Sequence, residues 1–209
     1  APGSIHVDMS TIAPATARAL AARYAERGIG WVDAPVSGGG QGARDATLAI
    51  MAGAEDETLA RVRPLFEVLG KRIVHIGPPG AGQVAKACNQ IITAVGVASV
   101  AEALNFAARS GADGAKVREA LLGGFAYSRI LENHGQRMLA RNFKPGFKAW
   151  MHQKDVRIVM DEAHRLGLAL PTAAATMQLF NAMAGSGLGE DDSVALLKLY
   201  ERMSGGAGE

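Results

Sequence analysis

The stretch that most constrains the fold is Gly80-Ala81-Gly82-Gln83-Val84-Ala85-Lys86-Ala87-Cys88-Asn89-Gln90, with the apolar run that follows it to about Phe106. A glycine-rich turn opens a long helix whose first turns carry one lysine and two amides. Lys86, Asn89 and Gln90 stand at i, i+3 and i+4, so they share one helix face. Beyond them Ile91, Ile92, Val95, Val97, Val100 and Leu104 are apolar almost all round, and that pattern predicts a buried helix. The lysine is therefore expected near the mouth of a core helix. A lysine held against low-dielectric surroundings can serve as an acid or base. The alternative is the role of most helical lysines, a solvated surface charge.

This helix divides two different kinds of sequence. Before it, strand and helix signals alternate. Residues 5–9 read as a short strand, and Ser10, Thr11 and Pro14 open a helix that Gly28 closes. Residues 31–36 form the next strand, ending in the loop Ser37-Gly38-Gly39-Gly40, and residues 47–52 the third. A helix over 56–70 and a strand over 72–76 complete the half. Such alternation argues an α/β layer. After Gly82 the strand signals stop. Helices are predicted through Val117, from Ser128, and over 150–166, 171–183 and 192–203, ahead of a frayed tail at 204–208.

Composition narrows the function classes. Hydrophobic residues make up 48% of the 209 and aromatics only 5%, so the core is built from Ala, Val, Ile and Leu. The net charge of +2 comes from interspersed charges of both signs, which leaves no nucleic-acid footprint. Cys88 is the only cysteine, so no internal disulfide forms; it reads as a small buried apolar residue rather than a nucleophile. Five scattered histidines show no metal-ligand spacing, so no metal site is expected. No signal peptide is visible, and no uninterrupted apolar run reaches the ~18 residues a membrane span needs. The expectation is a soluble cytoplasmic protein with no membrane or nucleic-acid partner.

Four segments carry a resemblance. They are Asp8-Met9-Ser10-Thr11-Ile12-Ala13-Pro14, Asp33-Ala34-Pro35-Val36-Ser37-Gly38-Gly39, the Gly80 to Asn89 stretch, and His152-Gln153-Lys154-Asp155. In this order they resemble the β-hydroxyacid dehydrogenases, and the likeness runs from Ile5 to Met203. The resemblance implies a partial Rossmann-type α/β layer joined by a long interdomain helix to an all-α domain like the C-terminal domain of 6-phosphogluconate dehydrogenase. Residues 1–80 would be the C-terminal part of an NAD(P)-binding domain, and 81–209 a helical substrate and dimerisation domain. Family members open with a G-x-G-x-x-G βαβ unit that is missing here, so the chain is read as an N-terminally truncated piece, inactive as it stands. The Gly80-Ala81-Gly82 run lacks the third glycine of that fingerprint.

Site roles follow from the same resemblance. Lys86 matches the catalytic acid/base. Ser37, Gly38 and Gly39 match the loop that takes the substrate carboxylate; on composition alone they read as a flexible turn. Asn89 and Gln90 match substrate-binding amides, with a departure. Many relatives carry Asn four residues after the lysine, where this chain has Gln90, so either amide can be the substrate contact. Thr11 matches a cofactor-contacting hydroxyl or simply caps a helix. Lys154 matches a cofactor-side lysine or is half of a surface ion pair, and Asp155 positions it or caps locally rather than reacting. Phe125 and Ser128 help to shape the pocket.

The cofactor implied is NAD or NADP, with no choice between them. Residues 123–132 look most like the branch that reduces tartronate semialdehyde (2-hydroxy-3-oxopropionate) to D-glycerate. The 3-hydroxyisobutyrate dehydrogenases are the alternative within the family, and a non-catalytic binding or assembly module the alternative outside it. A small hydroxy-acid or semialdehyde substrate and a homo-oligomer complete the expectation.

Overall fold

The computed structural model describes residues 1–206 and contains two compact units. The first comprises Ala1–Gln90 together with Ile158–Leu168; the second comprises Ile91–Arg157 and the chain from Ala169 onward. The chain passes between them three times, within helices after Gln90 and after Arg157 and in a loop after Leu168.

The first unit is the α/β layer. Its elements are β1 (Ile5–Asp8), α1 (Pro14–Ala25), β2 (Gly30–Asp33), β3 (Val36–Ser37), α2 (Gly39–Arg44), β4 (Leu48–Gly53), α3 (Asp56–Leu69) and β5 (Gly70–Gly77). Strands β1 and β2 run parallel with Asp8 opposite Asp33, and β4 and β5 are also parallel. The two pairs meet antiparallel, through Asp33 opposite Gly53 and through β3 against β4. Val32, Ala34, Leu48, Ile50, Ala52, Leu59 and Phe66 form the core under the sheet. At the other side of β1 and β2, His6, Tyr24 and Trp31 form a three-ring cluster, His6 stacking on the other two at centroid distances of 4.8 and 5.1 Å.

Two details differ from the sequence reading. The single strand expected over 31–36 is split at Ala34-Pro35, because proline has no N–H to give to a ladder. The loop after it is also shorter than expected: the chain winds into α2 from Gly39. Gly38 makes that corner with φ at +140°, a conformation side chains rarely adopt.

The second unit is helical, as expected. It holds the greater part of α4 (Ala81–Arg109), then α5 (Gly114–Leu122), α6 (Arg129–Leu139), most of α7 (Ala149–Leu166), α8 (Pro171–Gly185), a 3₁₀ turn at Ser193–Ala195 and α9 (Leu196–Met203). Two helix starts carry side-chain caps: Asp113 accepts from the N–H of Ala115 and Lys116, and Ser128 from that of Leu131. The expected hydroxyl cap of α1 is not used, since its N-cap position is Ala13, ahead of Pro14. Gly96 lets α6 approach α4, since a Cβ there would lie 2.7 Å from Ile130 Cδ1. His152 is buried between Phe147 and Phe180.

Helix α4 corrects another expectation. Although apolar almost all round, it is not buried on every side: Ile92 is 70% and Phe106 72% exposed. Val84, Cys88, Ile92, Ser99 and Phe106, spaced by four and seven residues, form an exposed stripe. The neighbouring elements cover only part of a 29-residue helix, so an apolar sequence alone does not decide which face they leave open. Cys88 belongs to this stripe and is exposed rather than buried. By length and composition alone α4 would also pass for a membrane span. It nevertheless carries the buried polar residues Gln83, Lys86 and Gln90, as the core helix of a folded domain does. At the C-terminus, Ser204 and Gly206 donate to Tyr200 and Glu201 carbonyls instead of fraying. Residues Ala207 and Gly208 of the expected tail lie outside the described residues.

Candidate active site

Three of the four recognised segments meet in the first unit, at the start of α4. Lys86 is buried, with 8% of its surface exposed, and its Nζ donates to the Val36 carbonyl at 2.8 Å. Val36 immediately precedes Ser37, so the lysine is anchored at the root of the Ser37-Gly38-Gly39 loop. Ser37 is half-buried, whereas Gly38 and Gly39 are exposed. Gln90 is buried and Asn89 half-buried, and Asn89 Nδ2 donates to Gln90 Oε1 at 2.7 Å. The two amides therefore act as a joined pair.

The sequence reading missed the residues that draw these segments together. Asp33, at the end of β2, is fully buried. Its Oδ1 accepts from Gly80 N at 2.6 Å and its Oδ2 from Gln83 N at 3.0 Å, which supplies the opening N–H groups of α4 with an acceptor. Trp31 Nε1 adds a third donor at 3.3 Å. Gln83, also buried, reaches the first segment: its Nε2 donates to Ser10 O at 2.9 Å and its Oε1 accepts from Ile12 N at 3.2 Å. That pair of bonds brackets Thr11. Signals for both were present in the sequence. Gln83, Lys86 and Gln90 stand at i, i+3 and i+7 on one face, and Asp33 is an acid closing a buried strand.

Close approach makes glycine necessary here. A Cβ on Gly82 would stand 2.4 Å from the Met51 carbonyl and 2.8 Å from Asp33 Oδ2, and one on Gly53 would stand 2.7 Å from the same Oδ2. Gly82 thus makes room for a carboxylate of the chain itself, whose other oxygen takes the Gly80 N–H.

Of the remaining expected residues, Lys154 and Asp155 lie on α7 within the second unit. Lys154 Nζ and Asp155 Oδ1 are 2.8 Å apart, with Asp155 buried and the lysine side chain 39% exposed. Phe125 is fully exposed, and Ser128 is occupied as the cap of α6. Among the described residues there is no cluster of His, Cys, Asp and Glu that could hold a metal.

The arrangement has the parts of a carbonyl reductase: a buried ammonium, an adjacent hydroxyl-and-glycine loop, and a hydroxyl held beyond the carboxyl end of β1. In parallel α/β layers that end of the strands is where ligands bind. Known proteins agree. The family model for the NAD-binding domain of NADP-dependent 3-hydroxyisobutyrate dehydrogenase matches residues 80–200, and that for the NAD-binding domain of 6-phosphogluconate dehydrogenase matches residues 1–77. The chain is 48% identical to 2-hydroxy-3-oxopropionate reductase of Escherichia coli, over 97% of this chain and 69% of that protein. It is 35% identical to 3-hydroxyisobutyrate dehydrogenase of Pseudomonas aeruginosa, over 93% of this chain and 68% of the relative. Among solved structures, that of the 3-hydroxyisobutyrate dehydrogenase of Mycobacterium tuberculosis with L-serine aligns with a TM-score of 0.89 at 30% identity. That alignment covers 96% of this chain and 71% of the other. Sequence, fold and the convergence of motifs on Lys86 agree: this chain belongs to the family of NAD(P)-dependent β-hydroxyacid dehydrogenases.

Proposed function

We propose that the protein reduces tartronate semialdehyde (2-hydroxy-3-oxopropionate) to D-glycerate with NADH or NADPH, and that Lys86 is its acid/base. One observation carries the reading: a buried lysine fixed by Val36 at the root of the Ser37-Gly38-Gly39 loop. The residues present fit the nicotinamide end of a dinucleotide. Thr11 stands just past the carboxyl end of β1, between Ser10, whose carbonyl accepts from Gln83, and Ile12, whose N–H donates to the same side chain, where a hydroxyl can meet the cofactor. Lys154, steadied by Asp155, is the second cofactor-side residue. When bound, the dinucleotide supplies the hydride.

The chain's own residues do the rest. The Ser37 hydroxyl and the N–H groups of Gly38 and Gly39 hold the substrate carboxylate, and glycine permits close approach. The Asn89–Gln90 pair hydrogen-bonds the substrate's polar groups. As the carbonyl carbon is reduced, negative charge grows on its oxygen; the Lys86 ammonium stabilises that charge and donates the proton. In the reverse direction the neutral amine takes the proton from the alcohol.

In this reading residues 1–80 are the NAD(P)-binding side and 81–209 the substrate and dimerisation side of a cytoplasmic homo-oligomer. The likeness to 3-hydroxyisobutyrate dehydrogenases supports a second substrate, the methyl-bearing semialdehyde. Comparing kcat/KM for the two semialdehydes decides between them: preference for the methyl-bearing one transfers the assignment. Single-turnover hydride transfer tests the lysine. Lys86→Ala should slow it by roughly 10²–10⁴-fold, the range for a positioned acid/base. Lys86→Arg should be nearly as slow, since a guanidinium cannot exchange its proton near neutral pH. Near-parental rates in both variants refute the assignment.

A further inference from the structure

We infer that Asp33 is a positioning residue for the reaction, acting on Lys86 through the first turn of α4. The inference rests on Lys86 being the acid/base, and it goes further by naming what aims it. Segment 33–37 and helix α4 are tied at two points. At one, the Asp33 carboxylate receives the N–H groups of Gly80 and Gln83 at 2.6 and 3.0 Å. At the other, the Val36 carbonyl receives Lys86 Nζ at 2.8 Å. Three residues separate the ties on the strand side, and three to six on the helix side. Within so short a span, the position of the helix start relative to the strand determines where the ammonium points.

The carboxylate suits that task. An acceptor-only group, fully buried, meets the positive end of a helix dipole and three N–H donors. The backbone is shaped to admit it, since a Cβ on Gly53 or Gly82 would collide with it. One consequence extends beyond the lysine. Gln83, whose N–H Asp33 accepts, holds Ser10 and Ile12 on either side of Thr11. Displacing Asp33 therefore shifts both the proton donor and the hydroxyl assigned to the cofactor, without removing either.

The test is a double-mutant cycle in the complete polypeptide, read by single-turnover hydride transfer and steady-state kinetics. Asp33→Asn keeps the shape but turns an NH₂ toward a backbone N–H. It should lower kcat by about 10–100-fold, as small misplacements of reacting groups do, while substrate KM changes less than threefold. In a Lys86→Ala background the same substitution should cost far less, under about threefold, because the lysine is no longer there to aim and only the smaller shift of Thr11 through Gln83 remains. An equal fall in both backgrounds, or a parental kcat in Asp33→Asn, overturns the positioning role while leaving Lys86 intact. A near-parental Lys86→Ala overturns both readings. Should Asp33→Asn fail to fold, Trp31→Phe removes the third donor while keeping an aromatic ring against His6 and Tyr24. It should then lower kcat by about 2–5-fold in the parent and leave the rate unchanged in Lys86→Ala; any other pattern refutes the inference.

Discussion

Asp192 offers a quantitative test of the helical unit. Its carboxylate is 1% exposed, and it binds the loop before α7 to the 3₁₀ turn after α8. Oδ2 accepts from Gly146 N at 2.7 Å and Phe147 N at 3.0 Å and pairs with Arg137 at 3.1 Å; Oδ1 accepts from Val194 N at 3.1 Å. In Asp192→Asn the remaining oxygen best serves the Oδ2 side, so the NH₂ faces Val194 N. One buried donor is orphaned, and the ion pair becomes a hydrogen bond from the charged guanidinium to a neutral amide oxygen. The first costs about 1–3 kcal/mol. The second costs less than breaking a fully buried pair, because the Arg137 side chain is 28% exposed. Together they predict a loss of about 3 kcal/mol, or roughly 6–12 °C in Tm for a chain of this size.

The pH dependence provides an independent check. Burial pushes the Asp192 carboxyl up, but the N–H groups of Phe147, Val194 and Gly146, together with Arg137, outweigh it and hold the pKa below the usual value. A carboxyl lowered in the folded state contributes stability that is present above the unfolded pKa and lost as pH falls through the folded one. The neighbouring His134 is also lowered, by burial first, against the pull of Asp192 and with the help of Arg137. Its contribution is present above about pH 6.5 and declines as the pH falls through its folded value. Urea unfolding from pH 7.5 down to about pH 2 should therefore show the parent losing stability first through the histidine and then, below the ordinary carboxyl range, through the aspartate. The gap between parent and Asp192→Asn should close at the acid end. A loss below about 1 kcal/mol at pH 7.5, or a gap that stays constant with pH, refutes the account.

Two further outcomes follow from the first unit. Gly82→Ala should abolish soluble expression or lower Tm by more than about 10 °C, because its methyl would meet the Met51 carbonyl and the Asp33 carboxylate at once; thermal denaturation checks it. Cys88, on the exposed stripe of α4, should react with a thiol reagent in the native protein at a stoichiometry near one per chain, and silence until denaturant is added would contradict its exposure.

Much of this architecture was legible before any coordinates. The alternation of apolar strand and helix patterns up to Gly77, and its replacement by helical periodicity afterwards, is a local property that each segment states for itself. Caps were equally local: Asp113 and Ser128 bond N–H groups two or three residues away. Lys86 stood out because a charge inside an apolar run needs an explanation wherever the helix packs.

Tertiary structure alone decided the rest. Residues 158–168 join the α/β unit although they continue a helix of the other, a partnership that no periodicity encodes. Which face of α4 stays open depends on how far its neighbours extend, so Cys88 and Ile92 are exposed despite an apolar sequence around them. Above all, Asp33 meets Gly80 and Gln83 across 47 and 50 residues of chain. A carboxylate takes its role from the N–H groups that surround it, and folding brings those together from segments far apart in sequence.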